Sequence, residues 1–566
     1  MRALFLLCVP WMLSATVHAE EADLVLRNGK IVTMDQKYGT AQALAVKGDR
    51  ILAVGTEDDI ARLIGKKTKV IDLKGRLAIP GLIESHAHFV SLGESKMMLD
   101  LRTAKTWQDI VQQVKQAAKS TPKGEWIIGR GWHQEKWKTK PTSNVEGYPT
   151  HFALSKLTPH HPVLLTHASG HLCFANAYAM RLAGVTAKTV SPSGGEILKD
   201  KQSRPTGIFR ETAQGKVQRA HRLSLQRRTP AQKKRHLLKA IELANQECIA
   251  HGITSFQDAG TSFETIETFK ELAKKGMLKT RLWVMIRANH LQLEKKLTRR
   301  HILNVGKGFL TVRAIKLIFD GALGAHGAWL LQPYEDLPGK SGLNTLPLTL
   351  FRKTAEIAIK NDYQLCVHAI GDRANREALD VFEQMFKKHP SKASRRWRIE
   401  HAQHLHPDDI PRFAKLKVIA SMQGIHCTSD AVFVLKRLGF RRASQGAYVW
   451  QSLLKSGAII ANGTDAPVES IDPLACFYAS VTRKLKSGVA FFPEQKMTRM
   501  QALRSYTLDA AYAAFEEKVK GSLTPGRYAD VVVLSHDILK VPDKELPKAK
   551  VIQTIVAGKV VYRSMK

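Results

Sequence analysis

The chain has 566 residues, 44% hydrophobic and 24% charged, which excludes a largely disordered protein. Its 87 Lys and Arg outweigh 50 Asp and Glu to give a formal net charge of +37, a bias toward anionic surroundings that says nothing about fold. The densest basic stretch, Lys216 to His236, has no acidic residue and no interleaved aromatics, so it reads as a solvated helix face and argues against specific nucleic-acid binding.

Residues 1–19 read as an export signal: Arg2, an apolar run from Ala3 to Val17, and a small-residue cleavage site at Val17-His18-Ala19. The run is short for a membrane span, and no later apolar stretch reaches spanning length. The expectation is an exported protein, periplasmic or secreted, with a retained N-terminal anchor as the alternative. Cys8 leaves with the signal. The other five cysteines are widely spaced, odd in number and without a Cys-x-x-Cys pair, so they read as buried free thiols.

Ala22 to Thr33 reads as two strands joined by a hairpin turn at Asn28-Gly29. Ala43 to Val46 and Arg50 to Val54 repeat the pattern around Lys47-Gly48-Asp49, and Lys69 to Leu73 adds a strand. Ala529 to Leu534, Val551 to Val556 and Val560 to Tyr562 have the same texture. Neither end has enough strands for a stable two-layer unit. Residues 22–76 plus 520–566 are therefore expected to form one small β-sandwich of antiparallel style.

From Leu77 the texture becomes buried strands alternating with amphipathic helices, a parallel α/β pattern. Eight candidate strands are Leu77–His88, Ile253–Asp258, Leu282–Ile286, Val312–Phe319, Gln364–Ala369, Trp397–His401, Val418–Met422 and Ala458–Thr464. Helices are expected at Phe263–Lys275, Leu350–Asn361, Arg373–Lys388 and Asp408–Leu416. Eight such units predict a (β/α)8 TIM barrel over 77–519, with reactive residues at strand C-termini. Roughly 160 residues separate the first two strands, too many for a loop and one helix. Residues 100–250 are expected to form an inserted α/β subdomain that lids the barrel mouth.

The strand ends carry the chemistry. His86 and His88 share a face of the first strand, and imidazole is the commonest zinc ligand. The fifth strand ends in His368, the sixth in His401 and the eighth in Asp465. Lys316 stands inside an apolar run of the fourth strand, where an ammonium is costly unless paired or modified. His404-Leu-His406 and His160-His161 lie in proline-flanked loops and read as structural.

Pro80 to His88, Lys316, His368, His401 and Asp465, taken in order, resemble the metal-dependent amidohydrolase superfamily. Ala168-Ser-Gly-His171, Gly252 to Gly260, Asp320 to Gly324, His368 to Arg373, Arg398 to Gln403, Ala420 to Gln423, Thr464 to Val468 and Gly521 to Asp530 narrow the resemblance. They are similar to the amidohydrolase type 3 branch, typified by N-substituted formamide deformylases. The resemblance implies two divalent metal ions, with zinc the expected metal. His86, His88 and Asp465 would hold the more buried ion, His368 and His401 the second, and a carbamate on Lys316 would bridge them. It implies hydrolysis of a non-peptide C–N bond by a metal-activated hydroxide, with Asp465 as proton shuttle.

His171, Arg373, His426 and His326 are the candidate substrate contacts. His326 stands where relatives often carry a Ser-Arg pair. The expected partner is a small amide-type molecule, and homodimerisation is left open. The alternatives are a mononuclear deaminase of the same superfamily and a non-catalytic basic binding protein.

Overall fold

The computed structural model describes residues 20–134, 137–167, 172–192, 195–297, 301–324, 326–342, 344–390 and 395–565. The chain divides into two compact units, Met1–His88 with Gln246–Lys566, and Phe89–Asn245. No helix among the described residues is long and apolar enough to cross a membrane.

The first unit contains an eight-strand parallel sheet in chain order: β1 (Leu82–Ala87), β2 (Ile253–Thr261), β3 (Arg281–Ile286), β4 (Leu310–Ile318), β5 (Gln364–Ala369), β6 (Arg398–His401), β7 (Ile419–Gln423) and β8 (Ile460–Gly463). Every neighbouring pair along this order is parallel. The sheet curls until its edges meet: Asp465 N–H donates to the His86 carbonyl at 2.7 Å and His88 N–H to that of Ala466 at 2.8 Å. The result is a nearly closed TIM-type barrel. Its strands are buried on both faces because helices cover the outside and side chains fill the inside. Ala259, Trp283, Met285, Ala314 and Cys366, all buried, pack together inside it.

The same unit holds two further sheets. One orders its strands Arg50–Gly55, Ala43–Lys47, Leu24–Arg27 and Lys69–Asp72. The other combines both regions of the chain, in the order Lys559–Arg563, Val551–Val556, Val531–Leu534, Leu77–Pro80, Lys30–Val32 and Thr40–Ala41. Leu24, Leu26, Leu44, Ile31, Ala78, Val531 and Ile555 share one buried core between these sheets.

Two sequence expectations fail here. Asn28-Gly29 does not turn a hairpin: Leu24–Arg27 pairs with Ala43–Lys47 and Lys69–Asp72, while Lys30–Val32 joins the other sheet. Asn28, at φ 54°, turns a corner between sheets, so Leu24, Leu26 and Ile31 all reach the shared core. Nor is the pairing uniformly antiparallel, since Leu24–Arg27 with Lys69–Asp72 and Lys30–Val32 with Leu77–Pro80 are parallel.

The first candidate strand is also two strands. Leu77–Pro80 belongs to the mixed sheet and Leu82–Ala87 to the barrel, with Gly81 between them. Gly81 N–H bonds to the Asp530 carbonyl at 2.8 Å, and a Cβ there would run into the Thr254 side chain. Only glycine lets the chain pass so close to β2.

The second unit has a six-strand mixed sheet, ordered Gly195–Lys199, Pro205–Glu211, Leu172–Ala175, Val163–His167, Ile127–Trp132 and Leu99–Asp100. Helix Trp107–Ser120, capped by Thr106 and Asp109, contributes Trp107, Ile110, Val111 and Val114 to the core against Ile127, Val163 and Leu165.

Candidate metal centre

The ends of β1, β6, β7 and β8 bring one cluster together. His86 is fully buried, and its Nδ1 meets the Glu400 carboxylate on β6. Glu400 is ion-paired with Arg398 at 2.8 Å, and Arg398 is spent on the Ser85 carbonyl and Ser421 Oγ, each at 2.7 Å. Burial alone would push the Glu400 carboxyl up, but the Arg398 guanidinium and His86 hold it well below the carboxylate range. An anionic Glu400 fixes the His86 proton on Nδ1 and leaves the Nε2 lone pair directed into the site. Burial, and then the Lys316 charge, push the His86 pKa down to about 4, so the ring is neutral and able to ligate.

His401 is set the same way. Its Nδ1 lies 2.7 Å from Gln423 Oε1, and the Gln423 amide donates to the Ser421 carbonyl at 3.1 Å. Gln423 Oε1 therefore accepts, and Nε2 of His401 is left for a ligand. Burial, then the neighbouring His368, hold the His401 pKa well below the usual value.

Asp465 lies at the centre. Its Oδ1 is 3.6 Å from His86 Nε2 and 3.3 Å from His88 Nε2, and its Oδ2 is 3.6 Å from His426 Nε2. Burial would raise its pKa, but His426 and His88 bring it well below the usual range. His426 is itself buried, which disfavours its cation; Asp465 and Glu469 outweigh that and carry its pKa to about 10. Two sets of ligand atoms come within 4.8 Å of one another: His86, His88 and Asp465; and His401, His426 and Asp465.

Lys316 is 3% exposed, and its Nζ lies 3.5 Å from His86 Nε2. Burial lowers its pKa. His368 packs against His401, ring centroids 4.4 Å apart, but falls in neither close set. Its Nε2 lies 3.6 Å from Asp320 Oδ1. Asp320 is held by the backbone N–H groups of Trp329, Ile370 and Gly371 at 2.8–2.9 Å.

The cluster fits a divalent metal. His368 Nε2 and Asp465 Oδ1 are buried without a hydrogen-bond partner among the described residues, an arrangement a folded protein rarely tolerates. Two neutral imidazoles, His86 and His401, beside an anionic carboxylate supply zinc-type donors.

The substrate candidates divide. His426 joins the centre, 6.2 Å ring to ring from His401. His326 is tied instead to Asp336 at 3.1 Å and packs edge-on against Tyr334. Arg373 lies over the Trp329 ring at 4.7 Å, beyond the metal cluster. His171 lies outside the described residues. His404 is buried and falls in neither close set, and His161 bonds to the Thr121 carbonyl at 2.9 Å.

Glu400, Arg398 and Gln423 are supporting residues that sequence reasoning missed. A signal was present: Arg398 and Glu400 are two apart in a short buried strand, and such charges on one face must neutralise each other.

Comparison with known proteins finds relatives along nearly the whole chain. The profile of the amidohydrolase family matches residues 69–562. Protein LONG AFTER FAR-RED 3 of Arabidopsis thaliana is 32% identical over 96% of this chain and 92% of its own length. The N-substituted formamide deformylase of Arthrobacter pascens is 26% identical over 95% of this chain and 98% of its own. The crystal structure of an uncharacterized metal-dependent hydrolase from Pyrococcus furiosus superposes with a TM-score of 0.71 at 27% identity, covering 91% of this chain and all of that one.

Proposed function

The chain belongs to the amidohydrolase family, and on that premise we propose an exported, metal-dependent hydrolase of a non-peptide C–N bond in amides of the N-substituted formamide kind. The observation that carries the reading is Asp465, an anionic carboxylate within 3.6 Å of three imidazoles on two of its sides. The formamide-deformylase relative supports the bond type.

His86, His88 and Asp465 would hold one divalent ion, and His368 and His401 a second, with a carbamate on Lys316 between them. Bound ions of this kind supply Lewis acidity toward a carbonyl and acidify water toward a pKa of about 7. Burial raises the free-base fraction of the Lys316 amine. That free base is the form that adds carbon dioxide, gaining an N–C bond and releasing one proton. Asp465 takes a proton from the attacking water and returns it to the leaving nitrogen, as general base and then general acid. His426, cationic against Oδ2, keeps the carboxylate ionised for the first transfer. A second reading places the second ion between His401, His426 and Asp465, favoured by their close-set ligand atoms.

The test is a screen of N-substituted formamides, N-acyl amines and cyclic amides with zinc-loaded protein, scored by amine release. Asp465→Asn is expected to lose about 10²–10⁴-fold in turnover. Full turnover by that variant with metal bound would remove the proton-shuttle role. Metal-replete protein that releases no amine from any class would remove the substrate assignment.

A further inference from the structure

Strand alternation places one more side chain inside the barrel. Trp283 and Met285 on β3 face the interior, packed with Ala314 of β4 and Cys366 of β5. The next residue in that period-two series on β3 is Arg287, as Lys316 follows Ala314 and His368 follows Cys366. Arg287 still extends the ladder, its N–H donating to the Thr261 carbonyl at 2.9 Å.

Gly260 confirms the direction. A Cβ at that position, where φ is +115°, would come within 3.2 Å of both the Arg287 and the Lys316 Cβ atoms. The two side chains thus leave the wall side by side, over a glycine that makes room for both. Lys316 is buried and reaches His86, whereas Arg287 is exposed at the mouth.

The Arg287 guanidinium has no ion pair and no side-chain hydrogen bond among the described residues, although Asp and Glu pair with most other arginines around this barrel. It lines an open groove of about 460 Å³ with Asn289, Lys316, Ile318, Thr345 and Leu346. That volume suits a small-molecule site. Among the described residues, Arg287 and Lys316 are the only cations on its wall and no acidic residue lines it.

We propose that Arg287 receives a carboxylate of the substrate, so that the amide hydrolysed here is an N-acylated or N-formylated amino acid and not a neutral amide. A single planar guanidinium matches a carboxylate in two parallel hydrogen bonds, whereas a phosphate would call for additional cations. The inference rests on the C–N hydrolase reading for its placement beside the reacting centre.

The test measures binding apart from turnover. N-formylphenylalanine and its neutral amide are titrated calorimetrically into wild type, Arg287→Met and Arg287→Lys, all zinc-loaded and checked for native melting. The wild type is expected to bind the carboxylate about tenfold to a hundredfold more tightly than the amide. Arg287→Met should level the two, and Arg287→Lys should keep part of the preference. Equal binding by the wild type, no binding of either ligand, or a preference that survives in Arg287→Met would overturn the proposal. Amine release from both compounds is followed in parallel. A charge preference in binding with no turnover would leave Arg287 its role and remove only the hydrolase reading.

Discussion

Asp465 donates its backbone N–H to the carbonyl of His86 at 2.7 Å and turns its carboxylate back to within 3.6 Å of His86 Nε2. The bond that joins the last barrel strand to the first therefore also fixes the separation of two candidate ligands. A candidate metal site spread over strands distant in sequence is held by the closure of the sheet itself. Its precision comes from backbone, which loses less on small perturbations than a pair of loops would.

Glu400→Gln is expected to weaken zinc binding by about 10–100-fold. The variant removes the charge that holds the His86 proton on Nδ1 and leaves Arg398 buried without its counter-ion. Chelator competition on the purified protein measures the affinity. Excess zinc should restore occupancy. Unchanged affinity would show that Glu400 does not orient His86.

His368→Asn and His426→Asn separate the two readings of the second ion. With His368 as ligand, its variant retains about one metal per chain where wild type retains about two, while His426→Asn keeps both. The reverse pattern assigns the ion to the His401, His426 and Asp465 set. Elemental analysis after dialysis gives the count.

Acid stability should depend on His404, a fully buried ring whose pKa burial lowers to about 3. The unfolded chain takes up this proton near pH 6.5 and the folded chain only near 3. Between those values the unfolded state binds more protons, so stability is complete above about pH 6.5 and falls toward 3. The slope from this one group is about 1.4 kcal/mol per pH unit at most. Urea midpoints across that window should fall less steeply in His404→Gln than in wild type.

Gly81→Ala should destabilise the protein by about 1–3 kcal/mol, the cost of overpacking, because its Cβ meets the Thr254 side chain. Adding Thr254→Ala should recover part of the loss. Denaturant unfolding of the two variants decides it, and equal stability of Gly81→Ala and wild type would refute the contact.

Much of this was legible in the chain. Strand-terminal His368, His401 and Asp465 stood out because apolar runs ending in ligand residues are rare without a site to serve. The eight barrel strands showed as buried runs because both of their faces are covered. The Asn28-Gly29 corner was not legible: an Asn-Gly dipeptide permits a hairpin but does not choose which strand pairs beside it, and the core shared by Leu24, Leu26 and Ile31 decided that. Nor could sequence separate Leu77–Pro80 from Leu82–Ala87, since the break at Gly81 exists only because Thr254 lies against it. Glu400 was hidden for a related reason: its role is set by His86, a residue on another strand.

The strand Leu77–Pro80 lies between Lys30–Val32 and Val531–Leu534, and four residues beyond Gly81 the chain reaches Ser85 and then His86. During synthesis, then, the strand that leads into β1, and so to His86 and His88, is made early but acquires one of its two neighbours only when residues near 531 leave the ribosome. Metal capture before that moment would have to proceed beside a half-supported strand. The order of translation thus favours loading the finished chain, and lesions in the Val531–Leu534 strand should be felt as poor zinc retention at a centre that none of its side chains supplies.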